Sequence, residues 1–210
     1  MTQPDLFGGP ALPEGLSVLS RFALPLADTL VAIIAQVSDA APFRTMQVPG
    51  GGTMSVAMTN CGRAGWTADA KGYRYSGVDP MSGQLWPDMP EILADLAMRA
   101  SRAAGFGDFE PDGCLINRYA PGARMGLHQD RDETDRRAPI VSVSLGLPAT
   151  FLFGGLKRAD PTIKLELEHG DVVVWGGPAR LAYHGIAPLK PGVHPLTGAA
   201  RYNLTLRKSL

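Results

Sequence analysis

The chain has 210 residues, 45% of them hydrophobic, which suits one domain with a sizeable core. Its formal net charge of +0 excludes a global basic field, so a nucleic-acid partner would have to be held by a local patch. Cys61 and Cys114 lack metal-type spacing and are too few for a disulfide framework, and no apolar run approaches the roughly 20 residues of a membrane span. The N-terminus has no signal-peptide layout, so the expectation is a soluble, cytoplasmic protein that does not contact a membrane.

In chain order, residues 1–14 carry Pro4, Gly8, Gly9, Pro10 and Pro13 and read as a flexible arm, leaving 15–210 as a single domain. The stretch from Gly15 to Phe22 alternates as a strand does. Asp28 is the expected N-cap of a helix whose apolar stripe is Leu30, Ile33, Ile34 and Val37. Pro49 to Trp86 reads as hairpins and loops, and a second helix is expected over Glu91–Ala100, after Pro90 and before Gly105. From Gly113 onward the pattern changes to short strands, at 114–120, 139–147, 150–153, 163–167, 171–175 and 200–207. Turns at Gly154-Gly155, His169-Gly170-Asp171 and Gly176-Gly177-Pro178 separate them. The fold class is therefore mainly β with flanking α-helices, arranged as a sandwich or jelly roll.

His128-Gln129-Asp130 places two ligand-type residues one spacer apart, so in extended chain both side chains point the same way. His184, after Arg180-Leu181-Ala182-Tyr183, can complete a set of two imidazoles and one carboxylate, the facial arrangement of oxygen-activating non-haem iron(II). Taken alone, His-x-Asp is also a common surface pair. Near the C-terminus, Arg201, Asn203, Thr205 and Arg207 alternate strictly with Tyr202, Leu204 and Leu206. An ordinary surface strand explains that pattern equally well. Facing into a barrel, however, two arginines suit a dicarboxylate, which guanidinium binds in bidentate fashion. Asn117 and Tyr119 share one face of a further strand and can donate to the same ligand.

Asn117-Arg118-Tyr119-Ala120-Pro121-Gly122, His128-Gln129-Asp130, His184-Gly185-Ile186 and the run Arg201 to Arg207 together resemble the AlkB family of DNA and RNA dealkylating dioxygenases. Thr53 to Asn60 and Phe153 to Arg158 support the resemblance, which covers roughly Leu16 to Arg207. It implies a double-stranded β-helix over 111–210, preceded by an N-terminal extension with helices and a nucleotide-recognition lid over 15–110. It further implies iron(II) on His128, Asp130 and His184, with 2-oxoglutarate and O2 as cosubstrates. Arg201 would pair with the distal carboxylate, assisted by Asn117 and Tyr119, and Asn203 and Arg207 would sit nearer the metal. The implied reaction is oxidative demethylation of 1-methyladenine or 3-methylcytosine, with succinate, CO2 and formaldehyde as by-products.

For the substrate, the resemblance implies alkylated single- or double-stranded DNA, with RNA a further class, and a base flipped out or taken from a single strand. Trp66, in a glycine-flanked loop with Gly62, Gly65 and Gly72, would stack on that base opposite His128, and Tyr73 would contact base or backbone. Asp132 would accept from an exocyclic amine, and Arg158 would meet a base edge or phosphate. Met54, Ser55 and Met58 would line the pocket. Arg124, Arg131, Arg136, Arg137, Lys157 and Arg158 form the expected nucleic-acid face, beside the run Asp132 to Arg137, which reads as a solvated loop. Pro49-Gly50-Gly51-Gly52 departs from the family pattern, which often has a tyrosine there, and implies one backbone contact fewer. His169 and His194 read as exposed and non-ligating. A monomer is the simpler expectation. The alternatives are the same chemistry on a protein or small molecule, and a non-catalytic barrel, against which the intact triad and both arginines speak.

Overall fold

The computed structural model describes residues 12–210, so most of the expected N-terminal arm lies outside the described residues. The elements run β1 (Leu16–Leu19), α1 (Ala27–Ala40), β2 (Arg44–Gln47), β3 (Thr53–Gly62), β4 (Gly65–Asp69), β5 (Gly72–Ser76), α2 (Glu91–Ala103), β6 (Gly113–Tyr119), β7 (Met125–His128), β8 (Ile140–Gly146), β9 (Ala149–Phe153), β10 (Ile163–Leu167), β11 (Val172–Trp175), β12 (His184–Ile186) and β13 (Arg201–Arg207). Seven strands form one sheet in the order β1-β11-β8-β13-β6-β3-β2, four form a second as β10-β9-β12-β7, and β4-β5 stands as a separate hairpin. This is the jelly-roll arrangement. Strands β1, β2 and β3 from the first half of the chain hydrogen-bond into the large sheet, making it continuous across both halves.

Two apolar clusters account for the packing. On the outer face of the large sheet, Leu30, Ile33, Ile34 and Val37 of α1 and Leu93, Leu96, Ala97 and Ala100 of α2 meet Val141, Val143, Val172, Val174, Leu204 and Leu206. Between the sheets lie Met58, Tyr119, Phe151, Phe153, Val173 and Trp175. Strands β8 and β11 are buried along their whole length, because helices cover one face and the small sheet the other. No helix among the described residues is long and apolar enough to cross a membrane.

Several expectations need correction. Asp28 is not the N-cap of α1. A 3-10 turn over Leu24–Leu26 runs straight into the helix, the Ala27 N–H already donates to Leu24 O, and Asp28 lies in the first turn. There its charge still favours the helix dipole. The first strand stops at Leu19, because Arg21 turns the chain with a φ of 54° while its N–H donates to Asp171 Oδ1 at 2.8 Å. Strands β7 and β12 had no expected counterpart. Each is short and glycine-bearing, and β12 lies so close to β7 that a Cβ on Gly185 would fall 2.6 Å from Met125 O.

Candidate active site

The β12–β7 register sets His184 directly opposite His128, and Asp130 follows two residues beyond the end of β7. One ligand atom from each of His128, Asp130 and His184 falls within 4.8 Å of the others. His128 Nε2 is 3.6 Å from Asp130 Oδ1, and His184 Nε2 is 3.7 Å from Asp130 Oδ2. Each ring is oriented through Nδ1, which donates to Gly126 O at 2.9 Å in His128 and to Ala182 O at 3.0 Å in His184. That tautomer, inferred from the carbonyl partners, leaves both Nε2 lone pairs free for a cation.

Electrostatics hold the set in its ligating state. Burial, with His128 beside it, lowers His184 to about 4, so the imidazole stays neutral. Trp175 packs on that ring at 4.8 Å between centroids. Burial pushes the Asp130 carboxyl up, but the charges facing it, Arg207 first among them, outweigh it and hold Asp130 below the usual carboxylate range. Arg207 donates to Asp130 Oδ2 from Nη2 at 2.7 Å and from Nε at 3.2 Å.

The alternation of β13 faces inward. Arg201, Asn203, Thr205 and Arg207 are all buried, while Leu204 and Leu206 join the cluster under the helices, which rules out the surface-strand reading. Arg201 is 1% exposed; its Nη2 donates to Ser144 Oγ at 3.0 Å, and its Nε and Nη1 have no partner among the described residues. Its guanidinium lies 5.1 Å over the Tyr119 ring, and Asn117 Oδ1 close by is also unpartnered. Burial pulls Arg201 below its ordinary value, with Tyr119 opposing. A buried cation with two idle donors is costly unless an anion completes it. Asn203 differs. Its Nδ2 donates to Ser142 Oγ and Val143 O, and its Oδ1 accepts from Thr205, so the structure ties it into the sheet.

These groups line one cavity of about 390 Å³, together with Met54, Met58, Trp66, Tyr73, Asp132 and Arg158. Trp66 is not on a mobile loop. It sits in β4, paired with Tyr75 of β5, because Gly65 lets the strand press on Trp86 and Asn60. Its ring stacks with Tyr73 at 5.4 Å and 14°. Its indole Nε1 donates to Asp132 Oδ2 at 3.1 Å, so Asp132 is not simply solvated. Arg158 lies 4.9 Å over Tyr183 and donates to Leu127 O. Ser55 is off the cavity, bonded to the Arg124 backbone on the other face of β3. Of the expected basic face, Arg131 and Arg158 reach the cavity, whereas Arg136 turns to Arg131 O and Arg137 to Asp135.

A family model for the 2OG-Fe(II) oxygenase superfamily matches residues 15–207. The chain belongs to that superfamily. This oxygenase is 61% identical over 198 residues to the alpha-ketoglutarate-dependent dioxygenase AlkB of Escherichia coli, covering 94% of this chain and 92% of that one. It is 32% identical over 180 residues to the DNA N(6)-methyladenine demethylase ALKBH1D of Arabidopsis thaliana, covering 75% of this chain and 40% of that one. The solved structure of OsALKBH1 superposes with a TM-score of 0.82 at 29% identity, over 94% of this chain and 100% of that one. Iron(II), 2-oxoglutarate and O2 are the cofactor and cosubstrates of this chemistry, and the donors fit them. Two imidazoles and a carboxylate suit a cation, and the buried donors of Arg201 suit a carboxylate.

The oxygenase also has site residues that sequence reasoning missed. Glu133, assigned above to a solvated loop, is buried; it accepts from Tyr75 at 2.7 Å, pairs with Arg180 at 3.2 Å and stands 3.4 Å from Arg207. Tyr75 could have been found by its alternation with Tyr73. Nothing in the charge run marks Glu133. His169 and His194 lie outside the ligand set, but they are half-buried rather than exposed. Their rings approach to 4.3 Å, and His169 Nδ1 accepts from the Gly146 N–H.

Proposed function

We propose that this oxygenase repairs alkylated nucleic acid, removing N-methyl groups from bases such as 1-methyladenine and 3-methylcytosine. The observation that carries the reading is the Trp66–Tyr73 shelf with Asp132 hydrogen-bonded at its edge, on the same cavity as the triad. A flat apolar shelf beside a carboxylate suits a cationic, alkylated base, which stacks on the indole and offers an amine to the acid.

In this reading His128, Asp130 and His184 hold the metal, and Arg201, Asn117 and Tyr119 hold the distal carboxylate of 2-oxoglutarate. When bound, iron(II) would activate O2, with 2-oxoglutarate supplying two electrons as it is converted to succinate and CO2. Arg207 keeps Asp130 ionised and aimed, and the backbone bonds of the histidines keep their Nε2 atoms free. Trp66 and Met58 would hold the base with its N-methyl group turned toward the triad, and Arg158 would steady a phosphate or base edge. Hydroxylation of the methyl carbon leaves a hemiaminal, which sheds formaldehyde and restores the base. A base stacked in a duplex cannot bring its N-methyl group to side chains that line a cavity, so the substrate is a single strand or a flipped nucleotide of DNA, with RNA also within reach. One copy of the chain supplies every group, which suits a monomer, and its two buried thiols suit a reducing cytoplasm.

The test is formaldehyde release from an oligonucleotide bearing 1-methyladenine, given iron(II), 2-oxoglutarate and O2. Succinate formed without base repair would move the substrate to a protein or small molecule. Absence of both products would overturn the enzyme reading.

A further inference from the structure

Between Asp130 and Ile140 the chain belongs to no strand, yet it carries a metal ligand at one end and Glu133 within it. Without a ladder, something else must fix this segment's carbonyls. One buried side chain from elsewhere does so. Arg180, 4% exposed, donates from Nε to Ala138 O at 3.0 Å, from Nη1 to Asp130 O at 2.6 Å and from Nη2 to Glu133 Oε2 at 3.2 Å. The three acceptors span the whole segment, and all three donors belong to one planar fork.

We infer that Arg180 is a positioning residue for the metal centre. It fixes the separation of the two segments that deliver the ligands and touches neither the metal nor the substrate. Its own backbone starts the turn that ends in His184, with Arg180 N–H on Gly177 O at 3.1 Å and Tyr183 N–H on Gly155 O at 2.9 Å. Locking Asp130 O to Arg180 therefore locks the Asp130 segment to the His184 segment. A second tie runs the same way, from Gln129 Nε2 to Leu181 O at 2.6 Å. Through Glu133 the fork also steadies Arg207, the partner of the Asp130 carboxylate. Lysine would keep the charge but not the geometry, since an ammonium cannot serve three acceptors in this fixed fan.

This inference rests on the metal reading of His128, Asp130 and His184, and the test separates the two. Metal-free full-length protein is titrated with cobalt(II), followed by the visible bands of the bound ion, with thermal melting of the metal-free form in parallel. The wild type takes up cobalt and His128→Ala does not. Arg180→Lys stays folded and binds cobalt roughly 10- to 100-fold more weakly, the usual cost of losing an outer partner of a metal ligand. Folded Arg180→Lys that binds within twofold of the wild type overturns the positioning role and leaves the metal centre standing. A wild type that takes up no cobalt overturns both. If Arg180→Lys fails to fold, amide exchange on the wild type decides. Cobalt must slow exchange across 131–138 as well as beside His128 and His184, and unchanged exchange at 131–138 refutes the role.

Discussion

Replacing Arg201 with methionine should move ligand affinity and apo-protein stability in opposite directions. Arg201 Nε and Nη1 are buried without a partner among the described residues, which leaves the guanidinium free to donate to a carboxylate. Two charge-assisted hydrogen bonds at about 1.5–3 kcal/mol each put the lost 2-oxoglutarate binding near 3–6 kcal/mol, roughly a hundredfold to ten-thousandfold in affinity. Without 2-oxoglutarate, the same side chain is a desolvated cation that donates to Ser144 Oγ and lies over the Tyr119 ring. Exchange of buried ionic groups for apolar chains of similar volume is often neutral or stabilising, by about 1–4 kcal/mol for known ion pairs and triads. The assay pairs calorimetric titration of 2-oxoglutarate with thermal melting, with and without the ligand. The wild type should gain melting temperature on adding 2-oxoglutarate, and Arg201→Met should start level or higher and gain nothing. A variant that melts well below the wild type without ligand, or that keeps its 2-oxoglutarate affinity, refutes the assignment and makes Arg201 a structural cation.

Trp66→Ala should lower formaldehyde release at least tenfold while succinate continues to form, because the shelf holds the base and not the cosubstrate; equal loss of both products, read in one reaction mixture, would remove the stacking role. The metal-free protein should lose stability as pH falls from about 6.5 toward about 4. His184 is depressed to about 4 in the fold, so the unfolded chain takes up the proton first across that window. The contribution of neutral His184, on the order of 3 kcal/mol, is present above the window and gone below it. Half-buried His169, also depressed, adds to it with the same sign, whereas Asp130, held below its ordinary value of 3.8, loses its contribution only at still lower pH. Urea unfolding at several pH values checks this, and a slope undiminished in His184→Asn would count against His184 as its source.

How far the sequence could be read depended on the range of each interaction. Helical stripes and the alternation of β13 are local, and both could be written down before any coordinates. Which face of β13 looked inward was not local, since it depends on the small sheet closing over Ser142, Asn203 and Arg201. The spacing of His128 and Asp130 pointed to a ligand pair, but β7 and β12, which hold the two histidines face to face, are too short and too glycine-rich to show a period. Glu133 was the largest misreading. It sits among charges that normally seek water, and its burial depends on Tyr75, Arg180 and Arg207, none of them near it in the chain. Trp66 was misplaced for a related reason: glycines that look like loop punctuation instead let β4 approach Trp86 closely.

The hairpin β4–β5 shares no ladder with either large sheet. It hangs from β3 by the Asn60 amide, which bonds both the N–H and the C=O of Trp66, and it is tied to the metal side through Trp66–Asp132 and Tyr75–Glu133. Few side chains thus join the part that meets the substrate to the part that performs the oxidation. Mutations in the hairpin can alter what is admitted while the ligand strands keep their register. The hairpin can therefore change its cavity-facing side chains without rebuilding the ligand strands.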